Sequence, residues 1–93
     1  MINDLLKQKI IDIPGPILVL GGSGFVGANL FRLIKQFRSD VFTTASKLPA
    51  WRLDDIDSAL VIKVNLTSEY ELSNLLNVVK PMTVLDCVTY GGY

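Results

Sequence analysis

The 93-residue chain has no histidine, one cysteine and one tryptophan. Without histidine, imidazole acid–base catalysis and imidazole metal ligation are excluded within it. The lone Cys87 has no partner for an internal disulfide, which points to a reducing compartment, and a cytoplasmic location is expected. No apolar run reaches the length of a membrane span, and the N-terminus lacks the apolar core of a signal peptide. Neither sign of charge dominates: nine basic residues face nine acidic ones, and charged residues make up only 19% of the chain. A basic surface for nucleic acid or a membrane is therefore not expected. Internal repeats and low-complexity tracts are also missing. The length allows at most one small domain, and the 49% hydrophobic content favours a well-buried core.

Glycine, by contrast, is concentrated. Four of the seven glycines fall between positions 21 and 27, directly after the apolar run Ile17-Leu18-Val19-Leu20. An apolar helical pattern follows: Phe25, Val26, Ala28, Leu30, Phe31, Leu33, Ile34 and Phe37. This is a buried strand, a tight turn and a helix. Such a turn gathers the unpaired N–H groups of a helix's first turn, and the helix dipole adds partial positive charge. A diphosphate is the natural occupant. One glycine makes the turn, one lets backbone approach the phosphates, and one lets helix pack on strand. Both Gly22-x-Gly24-x-x-Gly27 and Gly21-x-x-Gly24-x-x-Gly27 are satisfied, with Phe25-Val26 between the last two glycines. The competing reading is a glycine-rich turn with no ligand.

The rest of the chain alternates strand and helix. Residues 2–11 read as a short helix capped by Asn3 or Asp4, with Ile2, Leu5, Leu6 and Ile10 on one face. It closes an edge or face of the sheet, or serves self-association. Pro14-Gly15-Pro16 stops it, so residues 1–15 form a helix and linker before a domain over 16–93. Strands are expected at 16–20, 41–45, 59–64 and 82–88, and helices from the glycines to Phe37 and from Thr67 or Ser68 to Lys80-Pro81. Ser68 and Glu71 have capping-box spacing, and Leu72, Leu75, Leu76 and Val79 form the second helix's apolar stripe. Trp51 reads as a packing residue over the sheet or an adenine edge, and Cys87 as a small buried hydrophobe. Asp54, Asp55 and Asp57 lack the spacing of a cation loop and read as solvated. This alternation implies an α/β fold: a Rossmann-like, doubly wound parallel sheet of four strands in order 3-2-1-4. Its fourth strand is left as an exposed apolar edge, a possible route of self-association.

Leu20-Gly21-Gly22-Ser23-Gly24-Phe25-Val26-Gly27 resembles the cofactor loop of the extended short-chain dehydrogenases/reductases, the NAD(P)-dependent epimerase/dehydratase group. The resemblance runs from about Ile17 to Tyr93. It implies an NAD(P)-binding half, with the cofactor's diphosphate on Gly21, Gly24, Phe25, Val26 and Gly27. In a complete member it implies chemistry on a nucleotide sugar or a similar hydroxyl or carbonyl substrate. Where NAD-type members carry an acid at the end of strand two, this chain has Ala45, followed by Ser46 and Lys47. Those two can bind a 2′-phosphate, with Arg52 a second candidate, so NADP is favoured over NAD. Lys47 and Arg52 as plain solvated charges is the alternative. Asp40 has the right distance from the glycines but precedes its strand, at the wrong end of the sheet. Asn65-Leu66 stands where members usually carry Asp-Leu, and the Asn65 amide oxygen can accept from the adenine amino group; Asn65 is otherwise a turn residue. The resemblance also puts Val88 and Thr89 beside the diphosphate and ribose, and leaves Tyr90 open as a loop anchor.

The family's Tyr-x-x-x-Lys pair, in which the lysine lowers the tyrosine's pKa for proton exchange with substrate, has no counterpart here. Tyr70 is followed four positions on by Asn74. No catalytic residue is assigned, and the chain reads as the N-terminal part of a longer enzyme. The alternatives are a non-catalytic NADP-sensing or scaffold domain, or the Rossmann domain of another oxidoreductase.

Overall fold

A computed structural model describes residues 4–48 and 50–88. Alternation along its first strand, β1 (Ile17–Leu20), sets up two cores. Ile17 and Val19 join Ala28, Phe31, Ile34 and Val41 on one face; Leu18 joins Val64, Leu75 and Val79 on the other. Both sides of β1 are buried, which is why it reads as an unbroken apolar run. The first core lies under α2 (Phe25–Lys35), the second under α3 (Glu69–Val79). Phe31, fully buried at the middle of α2, contributes on the order of 2–3 kcal/mol by burial.

The remaining strands are β2 (Val41–Ala45), β3 (Val61–Lys63) and β4 (Thr83–Asp86). All pair in parallel, in the order β3-β2-β1-β4. Leu18 stands opposite Phe42 on one side and Val84 on the other, and Thr44 opposite Ile62. This is the doubly wound, Rossmann-like α/β sheet that the alternation implied. β4 is an edge strand with Val84 exposed on it. Among the described residues, no helix is long and apolar enough to cross a membrane.

Several local expectations change. The buried side of α2 begins at Gly27 and Ala28 and continues through Phe31 and Ile34; Phe25 and Val26, which looked like the start of the stripe, are 70% and 65% exposed. β3 is shorter than the apolar run because Ser58–Leu60 form a 3-10 turn, capped by the Asp57 carboxylate accepting from Ala59 N at 3.0 Å. Trp51 does not cover the sheet: in the 3-10 turn Trp51–Leu53, Leu53 takes the buried position and Trp51 is 71% exposed. Ser68 caps α3 as expected, accepting from Glu71 N at 3.2 Å, but Glu71 does not reciprocate. Its carboxylate accepts from Asn65 N instead, at 3.0 Å. Cys87 is half-buried, against the α2 core.

The N-terminal helix α1 (Asp4–Asp12) is anchored by one apolar side chain, Ile10; Leu5 and Leu6 are exposed, and Asn3 lies outside the described residues. An arginine holds its carboxyl-terminal end. Arg38, in the turn between α2 and β2, donates to the carbonyls of Ile10, Ile11 and Ile13, satisfying acceptors at the end of α1. Asp40 grips the same guanidinium at 2.9 and 2.6 Å. Asp40 is therefore a structural residue at the amino end of the sheet, away from the strands' carboxyl tips.

Arg38 holds the Asp40 carboxyl below its ordinary value of 3.8. A lowered native pKa means that this contribution is present above pH 3.8 and fades as pH falls through the native value. Arg38→Met is expected to cost about 1–3 kcal/mol by removing this donor from the Ile11 and Ile13 carbonyls, Ile10 O keeping its bond from Ile13 N. It should also make the acid limb of a urea-midpoint against pH plot shallower. An unchanged midpoint would mean that α1 is not held this way.

Candidate functional site

The glycine loop sits where β1 ends and α2 begins, at the carboxyl tips of the parallel strands. Its glycines have separate reasons to be glycine. Gly21 has φ +85°, the left-handed region. Gly22 lies against β2: a Cβ there would come within 1.8 Å of the buried Thr43 Oγ1. Gly27 lies against the loop itself: its Cβ would meet Gly21 O at 2.1 Å. Gly24 differs, since its Cβ would touch only Gly21 O, at an ordinary 3.5 Å. The protein's own packing does not require glycine at 24.

Two adjacent threonines of β2 hold the loop in place. Thr44 Oγ1 accepts from Gly21 N at 2.9 Å, and Thr43 Oγ1 donates to Val19 O at 2.8 Å. Both are buried, so their hydroxyls need these partners. Gly24 caps α2, and the first helical bond runs from Ala28 N to Gly24 O at 2.9 Å. The amides of Phe25, Val26 and Gly27 precede it and are unpaired within the helix. The dipole of an eleven-residue helix stands behind them.

Beside the loop is a cleft of about 270 Å³, whose lining includes Gly21, Ser46, Asn65, Leu66 and Val88. Those five residues come from the ends of all four strands. Ser23, Thr44, Val64 and Thr67 complete it. Gly24 and Val26 are exposed on the adjoining first turn of α2, outside the cleft wall, and Gly27 is buried behind the loop. Phe25 borders a second cavity, of about 310 Å³, together with Trp51 and Arg52. Lys47 is exposed beyond Ser46 and is not part of the cleft wall. Thr89 and Tyr90 lie outside the described residues.

The sequence from Ile17 to Tyr93 matches the family model described as the NAD dependent epimerase/dehydratase family. The chain belongs to this family. Neither the search of curated proteins nor that of solved structures gave a match. Membership in the epimerase/dehydratase family implies a nicotinamide dinucleotide as cofactor. The residues present fit such a group: unpaired amides at a helix start, an open position at Gly24, and a cleft across the strand tips.

Asn65 is engaged more fully than the sequence suggests. Its amide oxygen accepts from Thr67 N at 3.0 Å and from Thr67 Oγ1 at 2.6 Å. Cys87 is not poised as a nucleophile, because burial, with help from the Asp86 carboxylate, pushes its thiol pKa up. Of the three loop acids, Asp55 pairs with Arg32, which holds its carboxyl at about 2, and Asp57 caps its turn.

Sequence reasoning missed Thr43 and Thr44, which looked like ordinary strand formers. It also missed how Arg52 is held. One Arg52 nitrogen donates to Ser23 O in the glycine loop at 3.2 Å, and its guanidinium lies 4.3 Å from the Trp51 ring. Arg32 in turn donates to the Arg52 carbonyl and to both oxygens of Asp55.

Proposed function

We propose that these residues form the NADP-binding portion of an oxidoreductase of the epimerase, dehydratase or ketoreductase type, acting on a nucleotide-sugar-like substrate. The carrying observation is the cleft at the strand tips beside a glycine loop that has unpaired amides and one glycine free of packing demands. In this reading the amides of Phe25, Val26 and Gly27 hold the diphosphate; Gly24, whose own amide donates to Gly21 O at 3.1 Å, lets it approach, and Gly21 shapes the turn. Ser46 receives the 2′-phosphate beyond Ala45, with Lys47 or Arg52 supplying the cation. Asn65 and Leu66 border the adenine. Because the Asn65 oxygen serves Thr67, its NH₂ group is the side available to donate to an adenine ring nitrogen. Val88 lies by the diphosphate and ribose.

The nicotinamide, when bound, supplies the hydride chemistry. The work of this chain is to bind and orient it: the sequence holds no Tyr-x-x-x-Lys pair to exchange a proton with a substrate. That pair belongs to residues outside the 93, or is dispensed with in a sensing domain. Calorimetric titration with NADPH and NADH tests the reading. Saturable binding of both, tighter for NADPH, is expected. Binding of neither would remove the proposal, and a preference for NADH would remove its NADP part.

A further inference from the structure

A buried hydroxyl beside the glycine loop has a hydrogen to spare. We propose that Thr44 touches the dinucleotide: its Oγ1 accepts from the Gly21 amide and donates its own hydrogen to a ligand oxygen in the strand-tip cleft. This rests on the dinucleotide reading above and adds to it a contact that ties the cleft to the phosphate loop.

The two neighbouring threonines of β2 use their hydroxyls differently. Thr43 Oγ1 spends its hydrogen on Val19 O at 2.8 Å, on the strand face against which Gly22 lies. Thr44, on the opposite face, only accepts: Gly21 N donates to its Oγ1 at 2.9 Å. Its own hydrogen finds no acceptor among the described residues. Thr44 is 1% exposed, and a buried donor without a partner carries a desolvation cost. Valine has the same shape and suits a buried strand position as well, so packing does not call for the hydroxyl.

The cleft is where an acceptor can be supplied. Thr44 is part of its wall, together with Gly21 and Ser46. A ligand oxygen placed there completes a chain of donors from the Gly21 amide through the Thr44 hydroxyl to the ligand. Accepting from the amide polarises the hydroxyl and makes it the stronger donor. Because the Gly21 amide is taken, the hydroxyl stands in for it. Gly21 is held on its other side too, since its carbonyl accepts from Gly24 N at 3.1 Å. Gly21 is thereby fixed between Thr44 and the residue that opens α2. A ligand that engages Thr44 also steadies the place where the diphosphate approaches. The acceptor is an oxygen that NADPH and NADH share, because Thr44 bonds the phosphate loop itself, whereas Ser46 and the cations beyond it serve the 2′-phosphate.

The test records proton spectra of the whole isotope-labelled chain with NADPH and with NADH. At saturation with either, the Thr44 hydroxyl proton is expected to give a sharp signal shifted downfield, with a cross-peak to the nucleotide, and the Gly21 amide proton to move downfield with it. A hydroxyl that only braced the loop would not respond. Calorimetry then compares variants whose folding is checked by circular dichroism. Thr44→Val is expected to weaken both nucleotides equally, by about tenfold. Thr44→Ser, which keeps the hydroxyl, should stay within about threefold of the parent. A hydroxyl signal absent or unmoved with both nucleotides would overturn the proposal, even if Thr44→Val failed to fold. So would a folded Thr44→Val that bound both within about twofold, or one that lost NADPH alone. In each of these cases binding by the parent chain would leave the dinucleotide reading standing. If the parent chain bound neither nucleotide, that reading would fall, and the Thr44 contact with it.

Discussion

Gly27→Ala is expected to destabilise the chain severely. A single methyl group does this because of what it meets. The added Cβ would lie 2.1 Å from Gly21 O, 2.7 Å from Gly21 C and 3.1 Å from Gly22 Cα, all backbone atoms. No rotamer relieves such a contact. Either the glycine loop must open, losing the left-handed turn at Gly21 and its bond to Thr44, or α2 must lift from the sheet. Lifting α2 exposes Ala28, Phe31 and Ile34, the helix's fully buried share of the larger core, and strips Leu30 and Leu33 from its margin. A cost of about 3 kcal/mol or more is expected. A chain of this size has roughly 5–14 kcal/mol of total stability, so a large share of it would be lost. Urea unfolding followed by circular dichroism checks this. A variant with the parent's midpoint would show that helix and loop do not approach so closely.

Gly24→Ala is expected to do the reverse: keep the fold and abolish binding. Its Cβ would make an ordinary 3.5 Å contact with Gly21 O, and the residue's φ of −82° and ψ of 170° suit any amino acid. Losing glycine at the helix cap costs on the order of 1 kcal/mol or less. Yet Gly24 is exposed at the first turn of α2, where the methyl would stand among the amides proposed to receive the diphosphate. A loss of about a hundredfold or more in NADPH and NADH affinity alike is expected, since both carry the diphosphate. Unchanged binding by a folded Gly24→Ala would mean that the ligand does not approach there.

These two glycines also show what could be read in advance. The apolar run at 17–20, the glycines after it and the β-branched run at 41–45 announced β1, the loop and β2, because strand, tight turn and helix start each leave local signals. The strand order followed from the alternation. Which glycine packs and which stays open did not, since that depends on how closely α2 approaches Gly21. Phe25 and Val26 misled for a related reason: two apolar residues at a helix start look like its buried stripe until the helix's rotation is known. Ala59 and Leu60 looked like strand until Asp57 capped the turn beneath them. The long-range clamps were invisible. Arg38 and Ile10 are 28 positions apart, and Arg52 and Ser23 are 29 apart. Nothing in an arginine's local sequence says which distant carbonyl it will meet. Asn65 marks a middle case: its place at the end of β3 was legible, while the capture of its oxygen by Thr67 was not.

The central claim is that the amide hydrogens at the start of α2 are the receptor for a dinucleotide's phosphates. Backbone amide resonances of the isotope-labelled chain, recorded while NADPH is added, test it most directly. The account predicts that the signals of Gly24 to Gly27 move first and furthest, with Ser46 and Val88 following, while α1 and Asp40 at the opposite end of the sheet stay still. Stationary loop signals, or shifts gathered around α1 and Asp40, would contradict it.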